Sequence, residues 1–260
     1  MISMSRAIIV ASFGATSPSL RARSIDPFER AIAERFPDRR VYRAFTSPIV
    51  RERIESKEGT KVPGLAEAFE AAISDGMRDV CVLPALPIGG LQFDHISRVS
   101  DGYEGRFDKV SVCPPLLESR ESIERFLSSL PSVFPDAFRD STALVMMGHG
   151  NSAVSDGYLC RLQTVSSMLD WNAYFVTITG TPSPEDVVRM LSARNIGKVC
   201  LAPLMFEAGF HAHKDMCTGK ESVRTVLERH GFETECIMLG MSEIPAFREM
   251  FIDGLRRCFE

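Results

Sequence analysis

Two of the five histidines stand where a metal or proton-transfer site could be built. His149 sits between Gly148 and Gly150, directly after the apolar run Ala143–Met147. His211 follows a second apolar run, Val199–Met205, and Glu207 lies on the stretch between that run and His211. Thr179 closes a third run, Tyr174–Thr179. Glycines on both sides of a histidine let a ligand approach the backbone. Imidazole suits borderline divalent ions such as cobalt, nickel, iron and zinc. Two histidines on separate loops make an open coordination set, which fits a metal in transit better than a structural ion enclosed by four ligands. The plainer alternatives are a His149 ring bonded to loop backbone and a Glu207 that is a solvated loop charge. His213 is a weaker candidate, standing behind His211. His230 precedes Gly231 at a helix end, where the dipole favours a cation. His95 reads as a surface or hydrogen-bonded side chain.

His149, Thr179, Glu207 and His211 converge on one crevice if the three runs are strands of one parallel sheet, because ligands bind beyond the carboxyl ends of such strands. The sequence supports that arrangement. Strand-like runs at Ala7–Phe13, Arg40–Phe45, Asp79–Leu86 and Val110–Cys113 alternate with helical stretches at Ser24–Glu29 onward, Gly64–Ser74 and Glu118–Leu130. In the first of these helices Asp26 is placed as cap, Pro27 as first helical residue and Glu29 as the partner in a capping box. Helices at Gly157–Leu169, Pro184–Ala193, Glu221–His230 and Pro245–Arg257 separate the later runs, with a last strand at Glu235–Leu239. Alternation of this kind predicts an α/β fold with mostly parallel sheets flanked by helices.

The plan occurs twice. Val80-Cys-Val-Leu-Pro-Ala-Leu-Pro-Ile-Gly-Gly90 parallels Val199-Cys-Leu-Ala-Pro-Leu-Met-Phe-Glu-Ala-Gly209, and Ser12-Phe-Gly-Ala15 parallels Gly148-His-Gly-Asn151. Phe13 then occupies the place of His149, Gln92 that of His211 and Asp94 that of His213. Two similar halves are expected, 1–138 and 139–260, divided by the proline-rich polar stretch Pro131–Asp140, with the last helix free to cross back onto the first half.

Net charge is −4, with 30 basic and 34 acidic residues mixed along the chain, which argues against a nucleic-acid surface. Val80–Leu91 is broken by prolines and glycines and is too short to span a bilayer. Met1–Arg6 runs straight into a strand without the features of a secretory leader. The seven cysteines lack paired Cys-x-x-Cys spacing, so neither a disulfide frame nor a zinc site is expected, and the location expected is cytoplasmic. No phosphate loop, dinucleotide fingerprint or nucleophile elbow is present.

Val10-Ala-Ser-Phe-Gly14, Arg43-Ala-Phe-Thr-Ser47, Met147-Gly-His-Gly150 and Pro203-Leu-Met-Phe-Glu-Ala-Gly-Phe-His211, followed by Asp215-Met216, resemble in order and spacing the anaerobic, class II sirohydrochlorin cobaltochelatases of early cobalamin synthesis. The resemblance spans nearly the whole chain. It implies two flavodoxin-like, chelatase-like halves and a metal-binding, proton-accepting pair at His149 and His211, with Ser12, Phe13, Gly14, Gly148, Gly150 and Thr179 around the substrate. It implies insertion of Co²⁺ (Fe²⁺ or Ni²⁺ being the other candidates) into a sirohydrochlorin-type tetrapyrrole without ATP. The chain departs from the family's pattern in three places: Thr179 stands where a Glu is usual, Leu86 where a His is common, and Leu91 and Gln92 where acidic residues are usual. Glu207 stands where the family more often has an apolar residue, and is the candidate to supply the missing carboxylate as a catalytic group. The alternative is a non-catalytic tetrapyrrole- or metal-binding protein of the same fold. No nucleic-acid or membrane partner is expected, and whether the chain forms a homo-oligomer is left open.

Overall fold

A computed structural model describes residues 5–150 and 152–259. The first four residues of the Met1–Arg6 reading, and Asn151 in the comparison with Ala15, lie outside the described residues. Among the described residues the strands form two four-stranded parallel sheets. The first contains β1 (Arg6–Ser12), β2 (Arg40–Phe45), β3 (Asp79–Pro84) and β4 (Lys109–Val112), in the order β2-β1-β3-β4. The second contains β5 (Thr142–Gly148), β6 (Ala173–Thr177), β7 (Lys198–Pro203) and β8 (Glu233–Cys236), in the order β6-β5-β7-β8. The helices are α1 (Pro18–Arg23), α2 (Ile25–Arg35), α3 (Pro48–Glu58), α4 (Leu65–Ser74), α5 (Leu91–Asp101), α6 (Arg120–Val133), α7 (Ala153–Met168), α8 (Pro184–Ser192), α9 (Val223–Arg229) and α10 (Pro245–Arg257).

The two sheets share order and register. Ala11 faces Pro84 in the first, and Met147 faces Pro203 in the second. Ser12 pairs with Phe45, and Gly148 pairs with Thr177. Phe13 and His149 therefore occupy equivalent positions just past the innermost strand of each sheet. β1 and β5 are apolar on both faces because each is flanked by strands and covered by helices: all of β5 is buried, as is Ala7–Ser12 of β1.

The chain divides into two compact units, one formed by the chain up to Leu116 together with Arg248 onward, the other by Leu117–Phe247. This differs from a division after residue 138. Pro131, read as part of a linker, lies inside α6, which continues to Val133. α6 buries Phe126 against Phe247, and Phe134 packs on the same ring, so the segment belongs with the second unit's core. α10 starts in that unit and continues into the first, where Phe251 meets Phe28 edge-on.

Local details also depart from expectation. Asp26 and Glu29 do not cap α2. Ser24 holds the cap position, and both carboxylates bind the Arg43 guanidinium, with Asp26 Oδ1 at 2.6 Å from Nη2 and Glu29 Oε1 at 2.9 Å from Nε. Against the expectation for the cysteines, Cys217 and Cys236 form a disulfide. Their separation of 19 residues carries no motif; only the packing of the chain against β8 makes them neighbours. No described helix is long and apolar enough to cross a membrane.

Gly14 adopts φ +91°, and a β-carbon there would lie 2.5 Å from the Phe45 ring. Gly76 has φ +75° but open space around it. Gly76→Ala should therefore lose only the left-handed backbone cost, about 1–2 kcal/mol, while Gly14→Ala adds an overpacking cost of about 1–3 kcal/mol. Chemical denaturation of the two variants measures the difference; equal losses would show that Phe45 yields freely.

Candidate metal centre

The site begins with strand pairing. β5 and β7 are hydrogen-bonded neighbours, and the ladder extends one step beyond them, where the Leu204 N–H donates to the Met147 carbonyl at 2.8 Å. The chain segments that leave these strands therefore start side by side. His149 is the first residue past β5, and His211 lies on the segment that follows β7.

The segment holding His149 is fixed from beneath. Gly150 has φ +42°, and a β-carbon there would lie 2.4 Å from Cβ of Thr177. Glycine is thus required both for the backbone conformation and for the close approach to the end of β6. Thr179 Oγ1 donates to the Gly150 carbonyl at 2.8 Å. Asp156, in the first turn of α7, accepts the Thr181 N–H at 3.1 Å. Thr179 is not the end of a strand: β6 stops at Thr177, and β6 is an edge strand of its sheet. Its hydroxyl works on the loop backbone.

The second segment is anchored to the stretch before α10. Met241 N–H donates to the Met205 carbonyl at 2.9 Å, and the Ser242 N–H and hydroxyl both donate to the Phe206 carbonyl, at 3.1 and 2.8 Å. His211 then opens a π-helical turn, Ala212–Thr218. Widened turns of this kind recur at functional sites. The disulfide from Cys217 joins this turn to the end of β8.

These two supports bring the His149 and His211 rings to a centroid distance of 4.5 Å at an angle of 79°. His211 Nδ1 lies 2.6 Å from Asp215 Oδ2, four residues along the turn. A carboxylate at Nδ1 fixes that nitrogen as the protonated one and leaves the Nε2 lone pair for an ion, the usual outer-sphere support of a metal-ligating histidine. Sequence reasoning noted Asp215 only for its distance from His211. The i,i+4 spacing was the available signal, since any helical turn would bring the two together.

Glu207 is half-buried on the segment between β7 and His211. Neither Glu207 nor Asp215 completes, with the two imidazoles, a set of ligand atoms all within 4.8 Å of one another among the described residues. Gly148 ends β5, where a β-carbon would press on Leu159 at 3.0 Å. Ser12, Phe13 and Gly14 lie in the first unit, at the matching end of β1. Ser12 is buried and its carbonyl accepts the Thr46 N–H at 2.8 Å, while Phe13 is 41% exposed. Gln92 accepts a hydrogen bond from Thr46 Oγ1 at 2.9 Å, and His95 is exposed on α5. His213 sits 3.4 Å from the Thr218 hydroxyl, and His230 Nδ1 lies 2.9 Å from the Val226 carbonyl, a bond to its own helix.

Surrounding protein and the neighbouring His211 lower the pKa of His149 from 6.5, while Asp215 acts in the opposite direction. The neutral form, the one that can bind a cation, thus persists to lower pH than in a free histidine. In an NMR titration of the metal-free protein His149 should titrate below 6.5. His211→Ala should move it upward and Asp215→Asn downward. The lowered pKa places a stability loss on the acid side, as pH falls through the unfolded-state value, because the unfolded chain then binds the extra proton. A His149 midpoint at or above 6.5 would overturn this reading.

The family model of cobalt chelatase (CbiK) matches residues 6–260. The sirohydrochlorin cobaltochelatase of Salmonella typhimurium is 26% identical over 255 residues, which cover 98% of this chain and 96% of that protein. The sirohydrochlorin cobaltochelatase CbiKC of Nitratidesulfovibrio vulgaris is 27% identical over 256 residues, covering 96% and 89%. Among solved structures, the sirohydrochlorin chelatase SirB from Bacillus subtilis subspecies spizizenii, in complex with cobalt, superposes with a TM-score of 0.62 at 12% identity, covering 97% of this chain and 94% of that one. CbiX, the terminal enzyme for biosynthesis of siroheme in denitrifying bacteria, gives 0.57 at 15% identity, covering 98% and 100%. The fold is the chelatase fold, and the match over 6–260 carries more than fold: the chain belongs to the cobalt chelatase (CbiK) family.

Proposed function

We propose that the chain inserts Co²⁺ into a sirohydrochlorin-type tetrapyrrole in cobalamin biosynthesis, as a cytoplasmic enzyme that uses no ATP. The observation that carries the proposal is the pair of imidazoles 4.5 Å apart at the carboxyl ends of β5 and β7. His149 and His211 hold the incoming ion. Asp215 keeps the His211 Nδ1 protonated, so that its Nε2 faces the metal. Two ligands from the protein leave most of the coordination sphere to water and then to the four nitrogens of the macrocycle, so that the ion can be passed on. Insertion releases two pyrrole N–H protons, and a base near the metal path must take them. As the ion leaves for the macrocycle, His149 and His211 become free to accept those protons, and Glu207 relays them to solvent. Gly150 lets the loop that carries His149 lie close to the end of β6, and Thr179 braces that loop.

Anaerobic incubation with sirohydrochlorin and Co²⁺, followed by the absorption change of the macrocycle, tests this. Wild-type protein should accelerate insertion without ATP, and His149→Ala and His211→Ala should abolish the acceleration. Asp215→Asn should lower metal affinity or activity about 10–100-fold, as expected for an outer support of a ligand. Glu207→Gln should lower insertion strongly while tetrapyrrole binding persists. Full activity in Glu207→Gln would remove that residue from the mechanism. A wild-type chain that binds the tetrapyrrole and inserts no metal would make it a binding protein.

A further inference from the structure

The first unit holds a second constellation, built from cysteines. On β3 and β4 the side chains alternate between the two faces of the sheet. Val80, Val82, Val110 and Val112 pack into one apolar cluster, which leaves Cys81 facing the other way. Ser111 is the registered neighbour of Cys81 on β4, and Cys113 continues that strand with its N–H on the Val82 carbonyl at 2.9 Å. Cys81 and Cys113 thus share a face, with Sγ atoms 3.4 Å apart. Cys258, just past the end of α10, brings its sulfur to the same place: the three Sγ atoms all lie within 4.8 Å of one another. All three residues belong to the first unit.

From this convergence we infer that Cys81, Cys113 and Cys258 form a site for a thiophilic cation of the zinc or copper(I) class, distinct from the histidine pair. Metal–sulfur bonds of about 2.3 Å place tetrahedral sulfurs ~3.8 Å apart, so small adjustments of these side chains suffice. Thiolate sets select such ions. Cys81 and Cys113 are buried and Cys258 is half-buried, so any fourth ligand would come from the side of Cys258. Three thiolates carry more negative charge than the ion offsets, and positive charges from Arg257 and Lys109 act on Cys258. A lone buried cysteine is an ordinary small apolar side chain. The second unit supplies that comparison. Cys200 stands at the position of Cys81, but Ile237 has the place of Cys113, with its N–H on the Leu201 carbonyl at 2.7 Å, and no third sulfur joins them among the described residues. Binding forms three metal–sulfur bonds, releases to solvent the protons that the thiols still hold, and clips the end of α10 to the edge strand β4.

The test uses the full-length protein, reduced, stripped of metal and kept anaerobic, with His149→Ala/His211→Ala introduced to remove the first site. Titration with Co²⁺ should produce thiolate-to-cobalt charge-transfer absorption that saturates at one equivalent and is discharged by Zn²⁺. Zn²⁺ should also raise the melting temperature. Adding Cys258→Ser should weaken binding at least tenfold and remove the Zn²⁺-dependent rise, while circular dichroism shows the fold intact. Absence of the band, or its survival in Cys258→Ser, overturns the site. So does peptide mapping that finds Cys81 joined to Cys113 in a chain that takes up no metal once reduced. Cobalt insertion by the protein with His149 and His211 in place is a separate readout, so either site can fail alone.

Discussion

Parallel pairing of β5 with β7 determines where His149 and His211 can meet. The register sets Met147 opposite Pro203, and the Leu204 N–H extends the ladder one residue further. A slip by one residue would turn every side chain of β7 to the opposite face, burying Lys198 and moving the start of the following segment relative to His149. That slip is opposed by burial on both faces of β5 and along β7 from Val199 to Pro203. The placement of the pair therefore rests on buried apolar residues of β5 and β7.

The two units apply one scaffold to two surfaces. Gly14 lets the backbone lie against Phe45, and Gly150 lets it lie against Thr177 at the equivalent place. Ala85 N–H caps β1 through the Ala11 carbonyl as Leu204 N–H caps β5 through Met147. What differs is the side chain at the exposed tip, an aromatic ring at Phe13 and an imidazole at His149. Phe13 presents an exposed apolar ring, and His149 presents a nitrogen lone pair. A duplicated scaffold need change only such tips to present different chemistry at equivalent places.

Much of this was legible in the sequence, for identifiable reasons. Strands buried on both faces leave unbroken apolar runs, so β1, β3, β5, β6 and β7 were found, as was the internal repeat, whereas the half-exposed β8 was placed two residues late, at Glu235–Leu239 instead of Glu233–Cys236. α3 was not, because it buries only Val50 and Ile54 and is otherwise polar, which leaves no apolar stripe to read. α1 is a single short helix of six residues, and α5 starts beyond Gly89-Gly90, which read as a break. The histidine pair was visible because each ring follows a strand that announces itself. Thr179 was read as the close of its strand, but β6 stops two residues earlier, and its edge position depends on pairing partners far away in sequence. Spacing could not reveal the sulfur contacts either: Cys81, Cys113 and Cys258 come from three elements, and only the sheet register and the course of α10 gather them.

Asp215 gives the histidine pair its asymmetry. Two neutral imidazoles 4.5 Å apart repel little, but protonating either one penalises the other, and His149 shows that penalty together with its desolvation. The carboxylate lies directly on His211 and reaches His149 only through space. The two rings are thus electrostatically unequal: His211 has the carboxylate at 2.6 Å, and His149 feels it only at longer range. By backing one ring alone, the helical turn that carries His211 and Asp215 gives a pair of identical side chains two different electrostatic surroundings.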